Sequence, residues 1–127
     1  MTNEGLDIIF RNNTNFKQGK FGHWEFEVND RRLICVSDTN HNRMRIITPI
    51  AELSQLQSEH IMKCLDANFH TALDTKYAAS NGVLWGVFMH PLKELTREQV
   101  LDAISQVYAT GHTFGTSYSS SNLYFPS

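Results

Sequence analysis

Between Leu73 and Leu92 the chain reads LDTKYAASNGVLWGVFMHPL, two strand-forming stretches joined by Asn81-Gly82. No other feature restricts the fold as much. Asn-Gly suits a type I′ hairpin turn, in which both central residues need positive φ, and such a turn sets the strand register. Ser80 then faces Val83, Ala79 faces Leu84, Ala78 faces Trp85, Tyr77 faces Gly86 and Lys76 faces Val87, and a continued ladder would set Leu73 opposite His90. Because side chains alternate along a strand, one face carries Leu73, Tyr77, Ala79, Leu84 and Phe88, a core face on which the Tyr77 ring is expected to cover Gly86. The other carries Val83, Trp85, Val87 and Met89 beside Asp74, Lys76 and Ala78. That second face is too apolar for open solvent and too charged for a deep core, and the hairpin raises the question of what covers it.

The flanking sequence supplies the rest of a sheet. HWEFEV at 23–28 alternates as a half-buried strand, Asn29-Asp30 is a turn, and 31–37 is the returning strand. This pairing sets Glu27 opposite Arg32 and Phe26 opposite Leu33, with Trp24 and Cys35 facing inward. A third strand over 43–48 points Arg43, Arg45 and Ile47 one way and Met44, Ile46 and Thr48 the other. Pro49, which has no N–H, is expected to end it.

A helix is expected over 54–69, capped by Ser54 with Gln57 or by Ser58. Its stripe of Ile61, Leu65 and Phe69, with Met62 beside it, is expected to pack on the hairpin's core face. A second helix opens with a Thr96/Gln99 capping box and a Leu95–Val100 staple, packs through Val100, Leu101, Ile104, Val107 and Tyr108, and is expected to stop at Gly115. A short helix over 3–10 would gather Leu6, Ile9 and Phe10. Residues 11–22 are polar, so 1–22 is expected to be weakly ordered. The Ser-rich 116–127, with Leu123-Tyr124-Phe125, reads as a flexible tail. The chain of 127 residues is thus expected to be a single α+β domain of order α-β-β-β-α-β-β-α, with an antiparallel sheet of about five strands and two main helices on one face.

Composition excludes several functions. A net charge of −2, with no Lys/Arg run, argues against nucleic acid. No apolar run reaches membrane length. The first residues have no basic-then-apolar pattern, so a cytoplasmic protein with reduced Cys35 and Cys64 is expected. His60 and Cys64 share a helix face, and His70 or His90 could join them around a metal. No close-spaced motif supports this, so no metal and no cofactor is expected. Cys35, on a buried strand face, is a packing residue rather than a nucleophile. Glu25 and Glu27 read as partners of Arg32 rather than a catalytic acid pair. His90-Pro91 reads as a strand terminator. Arg43 and Arg45 are candidates for an anionic ligand, against the plainer role of a solvated face balanced by the glutamates. Val83, Trp85, Val87 and Met89 form the candidate protein-binding or dimer surface, unless the tail or the first helix covers them.

Several short motifs together resemble a known family. Asn42-Arg43-Met44-Arg45-Ile46 with Thr48-Pro49-Ile50, Leu65-Asp66-Ala67-Asn68-Phe69, His90-Pro91-Leu92 with Leu95-Thr96, and Thr113-Phe114-Gly115 resemble the YbjN family, described as bacterial sensory transduction regulators. That family is similar in fold to type III secretion chaperones. The resemblance runs from about Trp24 to the tail. It implies a homodimer that binds another protein and carries no catalytic residue.

Overall fold

In the computed structural model, which describes residues 1–121, the chain forms a six-stranded antiparallel sheet of order β1-β2-β3-β4-β6-β5. The elements are α1 (Asn3–Asn13), β1 (Asn15–Lys20), β2 (His23–Val28), β3 (Arg31–Asp38), β4 (Arg43–Glu52), a 3₁₀ turn (Leu53–Gln55), α2 (Ser58–His70), β5 (Lys76–Ser80), β6 (Val83–Pro91) and α3 (Arg97–His112). The main core lies between one sheet face and helices α1 and α3. Trp24, Phe26, Leu33, Cys35, Met44, Ile46 and Phe88 from the strands meet Leu6, Ile9 and Phe10 of α1 and Val100, Ile104 and Val107 of α3.

The Asn81-Gly82 hairpin forms as expected. Asn81 and Gly82 have φ of 51° and 78°, and the pairing from Ser80–Val83 to Lys76–Val87 matches residue for residue. The ladder stops there. Leu73 has φ 54° in a turn, so it is not on the core face, and Ala79 is exposed. Above Gly86 sits α3 rather than the Tyr77 ring: a Cβ there would lie 3.2 Å from Thr110 Cγ2 and 3.3 Å from Thr48 Cγ2. Tyr77 instead donates its hydroxyl to the Thr110 carbonyl at 2.9 Å.

Two segments depart from the expected order. The polar stretch 11–22 contains a sixth strand, β1, paired with β2 through a register shift between Phe16 and Gln18. An edge strand needs few apolar side chains, because only one of its sides pairs. Gly19 matters here: a Cβ would lie 2.6 Å from the Trp24 ring, so glycine lets the indole lie against the strand. The Trp24 indole N–H donates to Asp7 Oδ1 at 3.0 Å, tying α1 down. Pro49 does not end β4 either. Strand β3 pairs with β4 only as far as Ile34–Ile47. Beyond that, one side of β4 has no ladder, and a residue without an N–H is tolerated there.

The helices differ from expectation in their limits. Helix α3 has its Thr96/Gln99 capping box and ends at His112 with Thr113 as cap, three residues short of Gly115, which takes φ +87° in the following turn. Helix α2 begins at Ser58 after Gln57 rather than at Ser54, and the Gln57 N–H donates to His60 Nδ1 at 3.1 Å. Of the tail, Tyr118 and Ser120 are buried. The Ser120 hydroxyl donates to the Ala72 carbonyl at 2.7 Å. Leu123, Tyr124 and Phe125 lie outside the described residues.

Candidate functional site

The second sheet face carries the question the hairpin raised. Register places its side chains in rungs. Pro49 of β4 stands beside Trp85 of β6, Ile47 beside Val87, Arg45 beside Met89, and Arg43 beside Pro91. Strand β3 extends these rungs with Ile34, Val36 and Asp38. Ile34 is buried, and Val36, Ile47, Pro49, Val83, Trp85 and Val87 are half-buried. Met89 is 53% exposed. The helices pack on the opposite face, and among the described residues no element lies across this one. The sheet thus presents an apolar strip along β4 and β6.

Charge on this face is unevenly compensated. Arg32 donates to Glu25 at 2.6 Å, a diagonal pair in place of the expected Glu27–Arg32 contact, and Gln18 also bonds to Glu25. These contacts hold the Glu25 carboxyl below the usual carboxylate range. Lys17 lies 3.9 Å from Glu27. Asp38 is engaged by His41 at 2.8 Å, which lowers its pKa. Arg43 donates to the Asn42 carbonyl and helps to lower the Glu94 carboxyl's pKa; among the described residues neither it nor Arg45 makes an ion pair. The two arginines share a surface cleft of about 310 Å³ with Asp38, His41, Val36 and Met89.

Helix α2 overturns one expectation. Its apolar stripe faces outward: Met62 is 63%, Leu65 56% and Phe69 77% exposed. The buried arc is Cys64 and Ala67, which pack against Tyr77, Leu84 and Tyr118. The cause lies in two residues' size and one residue's hydrogen bonds. Small side chains let the helix approach the sheet closely. Asn68, on the same arc, donates to the Tyr77 carbonyl at 3.1 Å and accepts from the Tyr77 N–H at 2.8 Å. Its carboxamide pairs with the outer edge of β5 as a neighbouring strand's peptide would. Sequence reasoning missed Asn68; the available signal was a polar residue four positions after Cys64, on the arc that the small residues bury.

The chemistry-bearing residues do not converge. Burial pushes the Cys35 thiol far above its ordinary pKa and that of Cys64 up to about 11, so neither is a ready nucleophile. Nδ1 of His60 is occupied at the α2 cap. The His90 ring stacks on Phe88 at 5.8 Å. Among the described residues no group of three or more His, Cys, Asp or Glu side chains is placed to hold a metal, and no helix is long and apolar enough to cross a membrane.

This six-stranded antiparallel sheet with three helices is a type III secretion chaperone-like fold by its likeness to solved structures. Among the solved structures that match it are a chain of the HopA1–SchA chaperone–effector complex (TM-score 0.65, 8% identity, 88% of this chain and 94% of that one), a chain of the ExsC–ExsE complex (0.65, 10%, 86% and 86%), and a chain of the complex of the Yersinia pestis type III secretion chaperone SycH with a fragment of YscM2 (0.59, 8%, 79% and 86%). No protein-family profile matches the sequence, and no curated protein does.

Proposed function

We propose that this is a non-enzymatic, chaperone-like or regulatory protein of the cytoplasm that acts by binding another protein, and that it works as a homodimer. The observation that carries this reading is the apolar strip on the sheet, Val83, Trp85, Val87 and Met89 with Ile47, which no element covers among the described residues, in a fold similar to chains of the HopA1–SchA chaperone–effector complex and of SycH in complex with a YscM2 fragment. Exposed apolar area of this kind is characteristic of interaction surfaces. The resemblance of its short motifs to the YbjN family favours reading the chain as a distant relative of those regulators.

The two bare faces suit different occupants. The α2 stripe is self-complementary: antiparallel pairing of two α2 helices about Leu65 sets Phe69 against Ile61 and Met62, Lys63 near Asp66, and Glu59 near His70. We assign it to the second copy. The sheet face is left for the partner. The test is suppression of aggregation of an unfolded client by purified protein. Wild type is expected to suppress it and Val87→Asp to fail while remaining folded; equal activity of the two would remove the sheet face from the reading.

A second reading has its own observation. Arg43 and Arg45 flank one cleft and among the described residues neither makes an ion pair with the Asp38 carboxylate that lines it, which suits a small anionic ligand. Thermal-shift screening with anionic metabolites decides it: no stabilised hit sets this reading aside.

A further inference from the structure

We infer that the sheet face takes a segment that is apolar at one end and acidic at the other, lying along β4 and β6. This rests on the sheet face being the binding surface and adds the chemistry of its partner. Along the β4–β6 pair the rungs change character in one direction. Pro49–Trp85 and Ile47–Val87 are apolar, Arg45–Met89 is mixed, and Arg43–Pro91 is basic. Successive same-face rungs are roughly 6.8 Å apart, so the gradient runs over about 20 Å.

The acids of the same face offset only part of it. Glu25 is held by Arg32 and Glu27 lies beside Lys17. Asp38 stands in the Arg43 rung and lines the same cleft, and Glu52 stands opposite Val83 at the far end of the strip. Two arginines against the one carboxylate of Asp38 leave the Met89 end of the strip net positive, although the whole chain carries −2. Met89 stands beside Arg45 and lines the same cleft as both arginines. Apolar and basic parts are thus one continuous surface. An anion alone would use only one end of it, and an uncharged apolar segment only the other. A partner with apolar residues followed by carboxylates engages both, and charge complementarity also sets the direction in which it lies.

The probe is a labelled extended peptide, Leu-Ser-Phe-Ser-Leu-Ser-Glu-Ser-Glu, whose alternate residues match the rung spacing. Two controls replace both Glu by Lys, or the three apolar residues by Ser. Fluorescence anisotropy is measured against the full chain. The Glu peptide is expected to bind at least about tenfold more tightly than either control. The double variant Arg43→Glu/Arg45→Glu, both residues exposed, is expected to reverse the Glu-over-Lys preference with an unchanged circular dichroism spectrum. Equal binding of Glu and Lys peptides, or equal binding of the Ser control, overturns the inference. So does no binding by any peptide. The underlying reading fails separately, if Val87→Asp leaves binding of the Glu peptide unchanged.

Discussion

Helices α2 and α3 carry equally plain apolar stripes and put them to opposite uses. In α3, Val100, Ile104 and Val107 are buried against the sheet. In α2, Met62, Leu65 and Phe69 face outward while Cys64 and Ala67 face in. Periodicity reports that a helix has an apolar side. It does not report whether the same chain covers it. For α2, close approach to β5 and the double hydrogen bond of Asn68 decide the rotation, and the large residues are left exposed on the opposite arc.

The contrast can be broken by mutation. Ile104→Ala should cost about 2–4 kcal/mol in chemical denaturation, because it removes packed volume; a loss of only a few tenths would mean that α3 is not the core helix. Gly86→Val, which drives a side chain into Thr110 and Thr48, should cost about 1–3 kcal/mol by overpacking, read from the same curves. Asn68→Ala should cost about 1–2 kcal/mol and speed hydrogen exchange at the Tyr77 amide. It also exposes an unpaired sheet edge, so concentration-dependent self-association should rise. An unchanged Tyr77 exchange rate would contradict the role of Asn68.

The acid limb gives the smallest effect. Glu25, Asp38 and Glu94 have lowered pKa values, owing first to hydrogen bonds from Arg32, His41 and Asn42 respectively. A carboxylate with a depressed folded pKa contributes stability above its unfolded pKa, near about pH 4, and that contribution is lost as pH falls through the folded value. Asp38 and Glu94 are exposed and Glu25 is half-buried at the sheet surface, so the effect is slight. Glu25→Gln should flatten the stability profile below about pH 4 by a barely measurable amount, and a large change there would mean a buried role for Glu25.

Much of the fold was legible because local chemistry and global packing agree. The Asn-Gly turn, the alternation of 23–28 and the Thr96/Gln99 capping box each name one structure, and each is found. The misses are places where a neighbour decides. Strand β1 has little apolar signal of its own and exists because β2 offers it a pairing edge. Proline is tolerated in β4 because β3 stops pairing first. The orientation of α2 depends on a contact between Asn68 and a residue nine positions away. The candidate site was half legible: the alternation of Val83, Trp85, Val87 and Met89 could be read directly, whereas the alignment of Arg43 and Arg45 with Met89 required the β4–β6 pairing, which joins strands far apart in sequence.

The division of labour between the two bare faces is tested most directly by sedimentation equilibrium of wild type, Leu65→Glu and Val87→Asp. Wild type should sediment at twice the 14.5 kDa chain mass, Leu65→Glu at the monomer mass, and Val87→Asp still as a dimer. A monomeric wild type, or a Val87→Asp monomer beside a Leu65→Glu dimer, would contradict the assignment.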